Sequence, residues 1–188
     1  MRQRTGMMLL ATALLLGACA APAERSNMTV SNITALAEPT DTNLNGGIAV
    51  GSVDGGQETN PLATSEVGNE DFRSALTESM RNHGLLAEGG APHYILYVHL
   101  LSLQQPVIGL NMTVTAKVKY ELVDAVDGLP TQEKTIETEF TSPFSDAFAA
   151  DERTRLASEG AIRENIREFL NWLSHKPPPR VNNPMALR

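Results

Sequence analysis

Residues 112–122 read MTVTAKVKYEL, and this stretch decides the fold. Every second residue is apolar, and the residues between them are Thr, Lys or Glu. Strict alternation of this kind is typical of a β-strand with one face buried and the other in water. The stretch therefore predicts a half-buried strand of an antiparallel sheet.

Three further strands are predicted around it. Residues 47–53 are a β-branched run that begins at a glycine, and residues 135–142 alternate again. Residues 93–101 are largely apolar on both faces, which favours a central strand or one whose second face is covered. The Asp-Gly pair at 127–128 marks a turn between the last two strands.

Two helices are predicted from apolar residues at three- and four-residue spacing. The first covers residues 69–83 and ends at Gly84, and the second runs from residue 149 or 151 to 174. Gly160 in the long helix predicts a close approach to the sheet. The predicted buried stripe of the long helix consists of Leu156, Ile162, Ile166, Phe169 and Leu173.

The other face of the long helix alternates in charge, which is typical of a solvated, salt-bridged surface. Its members are Arg155, Arg163 and Arg167, interleaved with Glu159, Glu164 and Glu168.

The predicted order β-α-β-β-β-α gives an α+β domain over residues 47–175. The helical crossover makes the first two strands parallel, and the remaining strands form a meander. The expected architecture is a two-layer sandwich, a four-stranded mixed sheet with two helices on one face. The opposite face would be partly bare around Ile95, Tyr97, His99 and Leu101.

The N-terminus reads as a secretion signal. Two arginines precede residues 7–16, an uncharged apolar run that is too short for the ~20 residues that span a bilayer. Residues 14–19, LLLGAC, resemble the bacterial lipobox, in which cleavage between Ala18 and Cys19 is followed by lipidation of the cysteine. A buried or reactive thiol is the alternative for Cys19. Ala20, rather than aspartate, favours an outer-membrane address.

Residues 19–46 are expected to form a lipidated N-terminus and flexible tether. A free chain of this length averages about 30 Å from end to end. Within it, residues 28–33 alternate weakly and could add a short edge strand. Residues 176–188 are rich in proline and are expected to be a disordered tail.

Charge and composition argue against several functions. Removal of Arg2 and Arg4 with the signal takes the formal charge from −7 to −9, which disfavours both nucleic acid and anionic lipid headgroups as the primary ligand. A single cysteine forms no internal disulfide, and the four histidines have no metal-ligand spacing. With no nucleophile motif either, the sequence predicts a protein that is not an enzyme, without metal or cofactor.

The loop after residue 104 is the candidate contact surface. Val107, Ile108 and Leu110 are costly to expose, yet they lie between two predicted strands. One hypothesis is that they contact a partner protein or lipid, and the alternative is that the loop folds back over the sheet edge. Tyr97 and His99 on the bare face are the second candidate surface.

Several short stretches together resemble small envelope lipoproteins of the YajG type and, more distantly, the lipopolysaccharide-assembly lipoprotein LptE. The shared features are the lipobox cysteine, a lead rich in Thr and Pro, and a glycine-bounded strand. They continue in residues 72–84, 115–118 and 145–148. The resemblance implies a lipid-anchored envelope protein of this fold, and for LptE a partner β-barrel and contact with lipopolysaccharide.

Three functions follow as hypotheses. The first is a non-enzymatic interaction module that faces the periplasm and is anchored to the outer membrane, with an envelope protein as its partner. The second is a component of lipopolysaccharide transport, which a net charge of −9 disfavours because the glycolipid is anionic. The third is a carrier of small apolar ligands, which requires a cavity between sheet and helices.

Overall fold

The computed structural model describes residues 20–31, 42–60 and 64–175. The predicted signal, Cys19 and the predicted tail at 176–188 lie outside the described residues. None of the helices in the described part is long and apolar enough to cross a membrane. The elements are α1 (Arg25–Met28), a 3₁₀ turn (Thr42–Leu44), β1 (Ile48–Asp54), α2 (Asn69–Asn82), β2 (Tyr94–Gln104), β3 (Met112–Asp124), β4 (Pro130–Ser142) and α3 (Ala150–Ser174).

The predicted α+β fold is confirmed. The four strands form one sheet in the order β1-β2-β3-β4. β1 pairs with β2 in parallel, whereas the β2–β3 and β3–β4 pairs are antiparallel. β4 begins five residues earlier than predicted, because residues 130–134 continue the pairing with β3 although their side chains are polar or exposed.

One hydrophobic core lies between the sheet and the two long helices. The alternating residues of β3 are buried as expected, and Tyr120 stacks on Phe169 of α3 with 4.0 Å between ring centroids. Phe72 and Leu76 of α2 belong to the same cluster. Both helices therefore cover one face of the sheet.

Gly160 permits the close contact between α3 and the sheet. A Cβ atom at this position would lie 2.2 Å from the ring of Phe140 on β4. No side chain fits there unless the ring or the helix moves. The expected role of Gly160 is confirmed.

A buried amide fixes the position of α3 on the sheet. Tyr120 donates its hydroxyl proton to Asn165 Oδ1 at 2.9 Å, and Asn165 Nδ2 donates to the carbonyl oxygen of Ile136 and to Thr138 Oγ1, each at 3.1 Å. Burial raises the pKa of the Tyr120 hydroxyl, so this group remains a donor. A slip of the helix would leave these buried polar groups unpaired.

Residues 20–31 differ from the expected flexible tether. They form one helical turn and two short extended pieces that lie across α2 and α3, and Ala23, Met28 and Val30 are buried in the main core. Residues 28–31 are not part of the sheet, so the edge strand considered for residues 28–33 is wrong over its described part. We call residues 20–31 the N-terminal segment.

The predicted solvated face of α3 is wrong at two positions. Arg155 and Glu159 are buried, and Glu159 is only 1% exposed. The physical reason is that the N-terminal segment covers this part of the helix. Leu156, expected in the buried stripe, is partly exposed instead.

Candidate functional site

Two loops at one end of the sheet expose large apolar side chains. One loop, residues 105–111, joins β2 to β3, and the other, residues 143–149, joins β4 to α3. We call this set the apolar tip: Val107 (95% exposed), Ile108 (90%), Leu110 (75%), Phe144 (47%) and Phe148 (90%).

Backbone pairing brings the two loops together. Met112, at the start of β3, pairs with Ser142, at the end of β4. Just beyond this pair, the Phe144 amide donates a hydrogen bond to Asn111 Oδ1 at 3.2 Å. Leu110 and Phe144 therefore lie on neighbouring loops of the same end.

Arg153 holds the second loop against α3. Its guanidinium is buried and donates to the carbonyl oxygens of Ala147 and Phe148, both at 2.7 Å. It also lies 5.0 Å from the ring centroid of Phe144, within range of a cation–π contact. Arg153 thus binds two carbonyl groups of this loop, while the loop leaves Phe148 and Asp146 exposed and Phe144 half-exposed.

Gln105 fixes the root of the first loop. Its Nε2 donates to the carbonyl oxygen of Ser65 at 2.7 Å and to Ser158 Oγ on α3 at 3.2 Å. A shallow groove of about 440 Å³ runs from Val107 to Thr154 of α3. The loop is therefore tied down at its base, while Val107, Ile108 and Leu110 remain exposed. The alternative that it folds back over the sheet edge is wrong.

Glu159 is the polar anchor of the N-terminal segment. Its carboxylate accepts hydrogen bonds from the Glu24 backbone amide at 2.7 Å and from Asn27 Nδ2 at 2.9 Å. Arg155 donates to the same carboxylate at 2.6 Å and also pairs with Glu152. Burial raises the pKa of Glu159, and these hydrogen bonds oppose the rise.

Further contacts hold the rest of the segment. Arg163 donates to the Asn27 carbonyl oxygen at 2.8 Å, and the Val30 amide donates to Ser79 Oγ on α2 at 2.9 Å. Met28 is completely buried between these bonds. Polar contacts to both helices therefore hold the buried side chain of Met28 in the core.

The segment runs along α3 in a defined direction. Glu24 contacts residues 155 and 159, whereas Asn27 contacts residues 159 and 163. Residues 20–23 therefore lie toward the start of α3, which follows directly on the second loop of the apolar tip. The Ala23 amide also bonds the Glu66 carbonyl oxygen at 3.3 Å, next to the Ser65 that holds Gln105. The chain thus enters the domain at the end that carries the apolar tip.

Tyr97 and His99 lie elsewhere, on the open face of the sheet. Tyr97 is half-buried against Gly51 of β1, where an added Cβ would lie 2.9 Å from its ring. His99 Nδ1 is 2.7 Å from Asp54 Oδ1. The structure therefore does not bring these two residues together with the apolar tip, because they lie in the middle of β2 and the tip follows its end.

Charged pairs cover much of the remaining open face. Lys117 pairs with Glu137 at 3.0 Å, and Lys119 pairs with Glu133 at 2.9 Å across β3 and β4. These pairs are partly exposed, so each contributes little to stability. The apolar part of the open face is confined to the neighbourhood of Ile95, Tyr97 and Leu101.

The described residues present no metal centre. Among residues 20–31, 42–60 and 64–175, no three His, Cys, Asp or Glu side chains are grouped closely enough to hold an ion. A second surface groove, of about 550 Å³, opens between the edge of β4 and the end of α3, and charged side chains such as Glu137 and Glu168 line it beside Trp172. Both grooves open to the surface, so neither is the enclosed cavity between sheet and helices that a carrier of small apolar ligands requires.

Sequence reasoning missed four residues of this region. Phe144 and Phe148 lie between a strand and a helix, the same signal that identified Val107. Arg153 and Glu159 gave no such signal, because their alternation with neighbouring charges is also what an exposed helix shows.

No family model and no curated protein sequence matches the chain. Among solved structures, a Xanthomonas campestris protein of the family DUF330 superimposes with a TM-score of 0.55 at 12% identity, over 82% of this chain and 93% of that one. A candidate lipoprotein from Caulobacter crescentus superimposes with a TM-score of 0.47 at 18% identity, over 73% of this chain and 97% of that one. A dodecameric PelC from Paraburkholderia phytofirmans superimposes with a TM-score of 0.49 at 16% identity, over 75% of this chain and 95% of that one. The first of these similarities shows that the fold is shared with a known bacterial protein.

Proposed function

We propose that the chain is a bacterial envelope lipoprotein, held by lipid on Cys19, whose domain is a non-enzymatic interaction module in the periplasm. The observation that carries the proposal is the lipobox-like LLLGAC at residues 14–19, after an uncharged run too short to span a bilayer. Attachment by more than one acyl chain makes membrane association stable.

The outer membrane is the proposed address. Ala20 follows the cysteine, where aspartate would favour retention in the inner membrane. This part of the proposal rests on the identity of residue 20 and does not depend on the structure of the folded domain.

The open face around Tyr97 is the proposed contact with an envelope protein. Its apolar side chains lie beside His99 and Asp54 on an otherwise charged face, and apolar centres with polar rims are typical of protein interfaces.

Metabolic labelling with a fatty acid, followed by mass spectrometry of the N-terminal peptide, tests the anchor. We expect label on the wild-type protein and none on Cys19→Ala. Ala20→Asp, with Ala20→Ser as its matched control, tests the address by membrane fractionation. An unlabelled wild-type chain in the soluble fraction would refute the proposal.

Crosslinking from membranes tests the interaction module. We expect a specific envelope protein whose recovery falls when Tyr97 is replaced by Ser and does not fall when the distant Val126 is replaced by Ser. Recovery of a large outer-membrane β-barrel together with lipopolysaccharide would instead favour the LptE-like alternative.

A further inference from the structure

We propose that the apolar tip inserts into the same bilayer that holds the lipid on Cys19, so that the protein is attached at two points and stands in one orientation. This inference rests on the proposed lipid anchor. The apolar tip thus binds a lipid bilayer in this proposal, rather than a protein partner.

The tip has the composition of a membrane-inserting surface. One valine, one isoleucine, one leucine and two phenylalanines protrude from adjacent loops, and no element of the described chain covers them. Exposed apolar patches of several large side chains mark interaction sites on soluble domains. Arg153 and Gln105 donate to carbonyl oxygens of the protein, and Asn111 Oδ1 accepts from the Phe144 amide, so these polar side chains hold the two loops in place.

The position of the anchor selects the bilayer as the occupant. Ala20 is buried against the domain, and Cys19 follows from it by one peptide unit, about 3.8 Å between Cα atoms. The contacts of Glu24 with Arg155 and of Ala23 with Glu66 place the residues after Ala20 at the first turns of α3 and near the base of the loop 105–111. A lipid attached one residue before Ala20 therefore leaves no long free tether between the membrane and the end of the domain that carries the tip.

The opposite end of the sheet exposes two large apolar side chains, whereas the tip exposes five. The β3–β4 turn exposes Val126 and Leu129, but the carboxylates of Asp124 and Asp127 lie among them and accept hydrogen bonds from the turn amides. Carboxylates disfavour insertion into a bilayer, and this turn has two of them beside two apolar side chains, whereas the tip has one, Asp146, beside five. This end also lies about 40 Å from the tip, at ~3.3 Å per residue along the 13 residues of β3.

Orientation is the functional consequence. With the tip in the membrane, the strands stand along the membrane normal and the open face with Tyr97 points sideways, parallel to the bilayer surface. A partner would thus meet this face beside the membrane rather than above it.

Fluorescence quenching in vesicles tests the inference. Lipidation consumes the thiol of Cys19, the chain's single cysteine, so Ile108→Cys or Val126→Cys provides one free thiol for an environment-sensitive dye. Val126 is 94% exposed and Ile108 90%, which makes the two sites a matched pair. The labelled full-length lipoproteins are placed in phosphatidylethanolamine–phosphatidylglycerol vesicles that contain lipids brominated in the upper acyl chain.

We expect about half of the fluorescence at residue 108 to be quenched, because side chains at the interface lie roughly 5–10 Å deep, and almost none at residue 126. A further label at Phe148→Cys should lose most of its quenching when Val107, Ile108 and Leu110 are all replaced by Ser. Equal quenching at residues 108 and 126 would overturn the inference, as would a blue shift at 108 without quenching, which indicates a protein partner.

Mass spectrometry of the same samples separates the two proposals. Acylated Cys19 with an unquenched tip refutes the inference and leaves the proposed function standing. An unacylated Cys19 refutes the proposed function and the two-point attachment with it.

Discussion

The N-terminal segment and the loop at residues 105–111 both lie outside the sheet and the two long helices, but their apolar side chains have opposite environments. Both stretches carry apolar residues among polar ones. Met28 and Val30 of the first are buried, whereas Val107 and Ile108 of the second are almost fully exposed.

Polar partners account for the difference. The segment's amides and Asn27 find Glu159 and Ser79 on the two helices, so its apolar side chains are brought over the core. The loop is bonded at its two ends, through Gln105 and Asn111, while the apolar side chains between them are exposed. Burial of an irregular segment thus depends on hydrogen-bond partners supplied by distant elements.

Of the substitutions that test this contrast, Glu159→Ala should cause the largest loss in the free energy of unfolding, because it releases the N-terminal segment. The change leaves Arg155, Asn27 and the Glu24 amide without their buried acceptor, and loss of one partner of a buried ion pair costs about 3 kcal/mol or more. Limited proteolysis should then cleave within residues 20–31. Glu164→Ala is the control, since Glu164 pairs with Arg167 on a more exposed part of α3. Equal resistance of wild type and Glu159→Ala would contradict the assigned role.

Met28→Ala should cause the next largest loss in the free energy of unfolding. A fully buried side chain shortened to Ala costs about 2–5 kcal/mol, whereas the same change at the exposed Ile108 should stay within about 0.5 kcal/mol. Urea unfolding of both variants measures the two free energies. A small loss at Met28 would mean that the segment is not part of the cooperative core.

The pH dependence of stability sharpens the assignment of Glu159. Because burial raises its folded-state pKa above the unfolded value, its contribution is complete below the unfolded pKa and is lost as pH rises through the folded pKa. Wild type should therefore lose stability relative to Glu159→Gln as the pH rises above about 4, the ordinary range of a glutamate carboxyl. Urea midpoints across this range provide the test. A difference that does not change with pH would show that the carboxylate is not desolvated.

The smallest effect on stability is expected at the apolar tip. Replacing Val107, Ile108 and Leu110 together by Ser removes side chains that are already exposed, so the unfolding free energy should change by no more than about 0.5 kcal/mol per site. Urea unfolding in the absence of membranes is the measurement. A loss above about 2 kcal/mol would show that the loop packs on the domain.

Local patterns made most of the fold predictable. The alternation in residues 112–122 needs only neighbouring residues, and it identified the strand, its buried face and the meander around it. The spacing around Gly160 similarly indicated a close helix–sheet contact, which Phe140 completes.

The N-terminal segment and the buried part of α3 could not be predicted in the same way. Glu24 and Glu159 are 135 residues apart, and each lies in a stretch that is typical of solvent-exposed chain. The exposure of Val107, Ile108 and Leu110 could be predicted as a possibility, but the participation of Phe144 required the pairing of β3 with β4.

Amide hydrogen exchange of the full-length protein tests the central contrast most directly, because it reports on both segments in one sample. The Glu24 and Val30 amides, bonded to Glu159 and Ser79, should exchange at least about a hundredfold more slowly than in a free chain, an opening free energy of about 2.8 kcal/mol. The amides of Val107 and Ile108 should exchange at nearly free-chain rates. Free-chain rates at Glu24 and Val30 as well would show a flexible tether and contradict the docked segment on which the orientation depends.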